Sequence, residues 1–128
     1  MTLVKVEAWF NKLSEQEKDL PLLIFEGAAY SPRAALDEVK RGTPLGEQLQ
    51  KLVERQTFGT TYQEEQSLAK IRCIITLQKK PLDKPLFATL SGKVFTPRQM
   101  IQEIEASTPI GRQQVEGELA HMKRLMRV

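Results

Sequence analysis

The sequence predicts a mainly α-helical chain, with α+β as the alternative, made by tandem duplication of a helix–short β-hairpin–helix–helix unit. Three observations carry this. The segment Gly27–Gln48 recurs 65 residues later as Gly92–Gln113, with eight of 22 aligned positions identical and five more chemically close. Unrelated segments of average composition match at only about one or two such positions. The repeated words are also those that start and stop helices: Ser31-Pro32 and Thr96-Pro97, then Thr43-Pro44-Leu45-Gly46 and Thr108-Pro109-Ile110-Gly111. Finally, half of a 128-residue chain buries too little surface to be stable alone. The two copies are therefore expected to share a core, packed with pseudo-two-fold symmetry, as one compact domain.

The elements follow in order. Val6, Trp9, Phe10 and Leu13 recur at i, i+3, i+4 and i+7, the stripe of an amphipathic helix, with Thr2 as its N-cap. In Pro21–Tyr30, apolar and aromatic residues flank Glu26-Gly27, and in Leu86–Phe95 they flank Ser91-Gly92. Each segment reads as a short β-hairpin. Isolated hairpins are marginal, so these two are expected to pair with each other or to pack on helices. Ser31 and Thr96 are N-caps with proline at the first helical position, where a missing N–H costs nothing. Leu36 and Val39, or Met100, Ile101 and Ile104, form the inward side, and Gly42 or Ser107 ends the helix. Thr43 and Thr108 cap the next helix, whose inward residues are Leu45, Leu49, Leu52 and Val53, or Ile110, Val115, Leu119, Met122, Leu125 and Met126.

The match extends backwards across a one-residue gap, pairing Asp19 with Asp83, Pro21-Leu22 with Pro85-Leu86, and Leu13 with Leu77. The boundary falls in Gln56–Gln63, which has loop composition, giving units 1–60 and 61–128. Thr61 and Glu64 form a capping-box pattern that starts a helix near Tyr62. Its inward stripe is Leu68, Ile71, Ile74, Ile75 and Gln78, and Pro81 and Pro85 stop it.

Composition is that of a globular domain, 41% hydrophobic and 27% charged. No apolar run approaches the roughly 20 residues that span a bilayer, and no signal peptide is visible, so no membrane partner is expected. A single cysteine, Cys73, fits a reducing, cytoplasmic setting. The net charge of +3 is uneven: residues 1–64 carry 8 Lys+Arg and 10 Asp+Glu, and residues 65–128 carry 11 and 6.

Motifs for catalysis are scarce. HExxH, CxxC and GxSxG are missing from the sequence, and no His/Cys/Asp/Glu set has metal-ligand spacing. No catalytic residue, metal or cofactor is therefore assigned. His121, the only histidine, reads as a solvated side chain near a helix C-terminus, and Cys73 as a small buried hydrophobe.

Turns, caps and core explain most of the repeat. Arg33/Arg98, Glu38/Glu103 and Gln48/Gln113 stand outside that explanation and are the candidate binding residues. A cation in the first turn of a helix opposes the macrodipole. Each arginine is therefore expected either in an ion pair, such as one with the glutamate of the other copy, or beside a phosphate or carboxylate bound at the helix N-terminus. The basic tail, Lys123, Arg124 and Arg127, sits on a last helix whose apolar residues either join the core or dock on a partner.

The expected function is a non-enzymatic binding or assembly module with a protein partner or self-association. The first alternative is nucleic-acid binding, through the helix–turn–helix outline of Ala34–Arg55 and Gln99–Glu118 and the basic second half. Against it, the second helices carry mixed charge where phosphate neutralisation is needed. The second alternative is anion or small-ligand binding at the helix N-termini.

Overall fold

The computed structural model describes residues 2–127, without the side chain of Thr2. The capping role read for Thr2 therefore lies outside the described residues. Among them are seven α-helices and two antiparallel hairpins: α1 (Thr2–Lys12), α2 (Glu15–Asp19), β1 (Leu23–Phe25), β2 (Ala28–Tyr30), α3 (Pro32–Arg41), α4 (Pro44–Glu54), α5 (Tyr62–Gln78), β3 (Phe87–Ala88), β4 (Val94–Phe95), α6 (Pro97–Glu105) and α7 (Pro109–Leu125). The chain forms two compact units: one runs to Leu68 and includes the segment from Leu119, and the other is Ala69–Glu118.

In the first unit, Val6, Trp9, Phe10 and Leu13 are all buried, as the i, i+3, i+4, i+7 stripe predicts. The Trp9 indole N–H donates to the carbonyl of Leu125 at 3.1 Å, so the ring is buried with its one donor satisfied. Met122 and Met126 are fully buried in the same unit. The apolar face of the last helix therefore belongs to the core, the first of the two roles the sequence left open. Helix α2 was not anticipated. It is a five-residue helix with no buried residue, capped by Ser14, whose Oγ accepts from the Glu17 N–H at 3.2 Å. Without an apolar stripe, periodicity has nothing to detect.

The first hairpin pairs Leu23 with Tyr30, Ile24 with Ala29 and Phe25 with Ala28. Its turn, Glu26-Gly27, has positive φ at both residues (51° and 79°), as a two-residue type I′ turn requires. The outer edge of β1 is closed by the loop after α4: the Ile24 N–H donates to the Phe58 carbonyl at 2.8 Å, and the Phe58 side chain is 1% exposed. Burying a phenylalanine contributes about 1.5–3 kcal/mol. The stretch that composition marks as loop thus supplies a core residue. Thr61 caps α5 as expected, accepting from the Glu64 N–H at 3.1 Å. The Glu64 carboxylate reaches the N–H groups of Thr60 (3.2 Å) and Gly27 (3.4 Å), tying the hairpin turn to the start of α5.

In the second unit, Phe87 pairs with Phe95 and Ala88 with Val94. Each hairpin is its own two-stranded sheet, so the expectation that the hairpins pair with one another is not met among the described residues. The second turn is longer. Thr89 N–H donates to the Lys93 carbonyl at 2.8 Å around Leu90-Ser91-Gly92, with Gly92 at φ 88°. The extra residue in this turn is the one-residue gap in the sequence alignment. Helix α6 carries a complete capping box: Thr96 Oγ1 accepts from the Gln99 N–H (3.2 Å) and the Gln99 side chain accepts from the Thr96 N–H (2.9 Å).

Helix α5 departs from its expected face. Leu68, Ala69, Arg72 and Leu77 are buried, whereas Ile71 is exposed. Arg72 is fully buried, with its Nε 3.4 Å from Glu118 Oε1 on α7. The aliphatic stem fills core volume while the carboxylate receives the charge, an arrangement that apolar periodicity cannot foresee.

Candidate functional site

The corner between the two helices after each hairpin explains much of the repeat. In the first, the Thr43 hydroxyl donates to Glu38 Oε2 at 2.5 Å and accepts from the Gly46 N–H at 2.9 Å, while the Thr43 N–H donates to the Glu38 carbonyl at 3.3 Å. At the second corner the Thr108 hydroxyl donates instead to the Glu103 backbone carbonyl at 3.3 Å, its N–H donates to the same oxygen at 3.2 Å, and its Oγ1 accepts from the Gly111 N–H at 3.2 Å. The helices cross so closely that a Cβ on Gly46 would lie 2.3 Å from the Glu38 carbonyl oxygen, and on Gly111 it would lie 2.1 Å from that of Glu103. Glycine is required here by proximity. Glu38 also pairs with Arg41.

Arg33 and Arg98 both meet carboxylates of their own unit. Arg33 Nε donates to Asp19 Oδ1 at 2.8 Å, its Nη2 lies 3.5 Å from Glu15, and its guanidinium lies 5.5 Å from the centre of the Phe10 ring. Arg98 makes a two-pronged contact with Asp83, at 2.9 and 3.4 Å. The partner is an aspartate rather than the glutamate of the other copy. The alignment that matched Asp19 with Asp83 held the answer without revealing it. The Arg98 guanidinium holds the Asp83 carboxyl below its ordinary range, by hydrogen bond first and charge second, and Asp83 in turn raises Arg98. Asp19 raises Arg33 in the same way. At the start of α6, the Arg98 N–H is given to the Leu82 carbonyl at 3.1 Å.

Gln48 and Gln113 line grooves between a hairpin and the helix that follows the corner. The first groove, about 510 Å³, is bounded by Phe25, Tyr30, Leu45 and Gln48, with Glu26 at its rim. The second, about 640 Å³, has Thr89, Phe95, Ile110 and Gln113 at the matching positions. It also runs along β3 and into its turn, from Leu86 to Ser91. Here the two hairpins diverge. Leu22 is fully buried, but its counterpart Leu86 is 50% exposed, and Leu90 and Val94 are exposed too. Sequence reasoning selected Gln113 but missed these three residues. Their signal is an apolar hairpin with no following loop to cover it, since α4 ends at Glu54 but α7 runs on to Leu125.

A pocket of about 370 Å³ beside this groove is lined by Cys73, Leu77, Lys80, Phe87, Gln114 and Glu118. Burial first, and the Glu118 charge second, push the Cys73 thiol up to about 12, so it is a protonated neutral group near pH 7. His121 Nε2 lies 3.5 Å from Glu17 Oε1. Of the basic tail, Lys123, Arg124 and Arg127 are all exposed. Among the described residues, no group of three or more His, Cys, Asp or Glu is placed to hold a metal, and no helix is long and apolar enough to cross a membrane. Comparison with protein-family models, curated proteins and solved structures gives no match.

Proposed function

We propose that the chain is a non-enzymatic binding or assembly module, derived by tandem duplication of a hairpin–helix–helix unit, in which the second copy supplies the partner surface. The observation that carries this is the second hairpin, where Leu86 and Leu90 are exposed along a groove and Val94 is exposed on the paired strand, whereas Leu22, the first-copy counterpart of Leu86, is fully buried. Apolar side chains clustered on one element mark interaction surfaces more often than scattered ones do. Duplication is supported by the recurrence of the capped helix starts, the Thr–Gly corners and the Arg–Asp pairs at matching positions. Light scattering over a range of concentrations, with capture from native lysate on immobilised protein, tests the reading. Self-association or a retained partner, either one weakened by Leu90→Lys, is the expected result. A monomer at every concentration that retains nothing overturns it.

Nucleic-acid binding is the second reading, favoured by the exposed Lys123, Arg124 and Arg127. A gel shift at low salt that weakens steeply with added salt would support it, and no shift at low salt would dismiss it. Anion binding at the helix starts would require Arg33 and Arg98 to leave Asp19 and Asp83, and the Arg98 N–H to leave Leu82.

A further inference from the structure

We propose that the outer edge of β3 docks an extended acidic segment of a partner protein that carries an aromatic side chain. This rests on the binding-module reading and specifies its site and the chemistry of its partner.

The first hairpin shows what such an edge takes. There the outward-facing Ile24 N–H is met by the Phe58 carbonyl, and the Phe58 ring is buried beside it. In an antiparallel ladder, outward and inward N–H groups alternate along the strand. Ile24 pairs with Ala29, and Ala88 pairs with Val94 at the corresponding rung. Ala88 therefore presents its N–H outward as Ile24 does, and among the described residues no backbone carbonyl receives it. Leu86 and Leu90 flank this edge with exposed apolar surface, and the groove beside it has the volume to take a large side chain. Strand addition at an open edge works this way: main-chain hydrogen bonds hold the segment while alternate side chains fill pockets.

Charge narrows the partner's chemistry. Lys84 precedes β3 in the chain, and Lys93 follows its turn and lines the adjoining groove with Val94 and Phe95. Among the described residues neither makes an ion pair, and Lys93 Nζ lies 5.1 Å from the centre of the Phe95 ring. A neutral or basic segment leaves both cations unanswered, whereas carboxylates on either side of the aromatic residue complement them.

The test uses the full chain, labelled with ¹⁵N, and a ten-residue peptide with Thr-Phe-Gly at its centre and two glutamates on each side. Saturable shifts centred on the Ala88 amide, with slowed exchange of that amide, are expected. Binding should fall by about tenfold or more when the peptide phenylalanine becomes alanine, and also when the glutamates become lysines. Leu90→Ser, on a fully exposed side chain, should weaken binding with the amide spectrum otherwise unchanged. Ala88→Pro, which removes the donor, should abolish it.

Shifts spread over the surface, binding indifferent to phenylalanine or to flanking charge, or concentration-dependent shifts at Ala88 without peptide, as from a second copy, would each overturn the proposal. If the peptide leaves residues 86–95 unmoved while light scattering still shows assembly, the docking proposal fails and the module reading stands. If neither occurs, both fail.

Discussion

In the first hairpin Leu22 is sealed from solvent and the Ile24 amide is met by Phe58, whereas in the second Leu86 is half exposed and Ala88 has no counterpart to that bond among the described residues. The helices that follow the two hairpins show no such divergence. Both begin with a hydroxyl cap and proline, both turn through a threonine and a glycine pressed against a glutamate carbonyl, and both hold an arginine against an aspartate. Local features, each held within a few residues, match in the two segments. What differs is the tertiary cover over the strand, which depends on where the chain goes next. A surface opened by withholding a cover needs no change in the scaffold beneath it.

The largest test of this contrast is Phe58→Ala, which should cost about 3–5 kcal/mol as a large-to-small core change. Leu90→Ser in the second turn should stay within about 0.5 kcal/mol. Urea titrations of both variants would decide, and a large loss at Leu90 would show that the second hairpin is covered after all. Next come Gly46→Ala and Gly111→Ala. Each forces a Cβ into a backbone carbonyl and should destabilise by about 1–3 kcal/mol. Similar losses would confirm that the corners are equivalent, and a loss at one alone would separate them. Cap removal is smaller, at about 0.5–2 kcal/mol. Here Thr96→Ala should exceed Ser31→Ala, because Gln99 returns a bond to the Thr96 N–H whereas the residue three after Ser31 is Ala34, which cannot. Thermal melts of the two would rank them.

Acid should produce the smallest effect, on one hairpin only. The Glu64 carboxyl is held below its ordinary range, chiefly by the Thr60 hydroxyl and also by the N–H groups of Gly27, Thr60 and Thr61. A carboxyl depressed in the folded state stabilises fully above its unfolded pKa, and that stabilisation is lost as pH falls through the lower folded value. Protection of the Gly27 amide, taken relative to its intrinsic exchange rate, should therefore fall as pH drops below the ordinary carboxylate range of about 4. The Gly92 amide, which donates to the Thr89 carbonyl, should not respond. Glu64→Gln should remove the difference.

The sequence made legible what neighbouring residues determine. Ser31, Thr43, Thr96 and Thr108 announce helix starts because cap and proline chemistry is complete within four residues. The aligned aspartates were visible, but their bond to Arg33 and Arg98 was not, since it spans 14 and 15 residues through a turn. Arg72 lies outside the inward stripe predicted for α5, because periodicity scores arginine as outward, and the Glu118 carboxylate beside it helps make its burial tolerable. Phe58 hid among Gln, Thr and Gly, whose composition says loop without saying what the loop covers. Gln48 and Gln113 were chosen for recurring, and both line grooves; the exposed leucines beside Gln113 do not recur and went unnoticed.

The Glu38 and Glu103 carbonyls each receive the N–H of the threonine that opens the next helix, and each blocks the space a side chain on the facing glycine would occupy. Mechanically this is a bracket rather than a hinge. The two helices cannot scissor open without breaking the cap and the carbonyl bond together. Any widening of the groove beside them must come from the hairpin wall, which after α5 is four paired residues: a short flap mounted on a stiff frame.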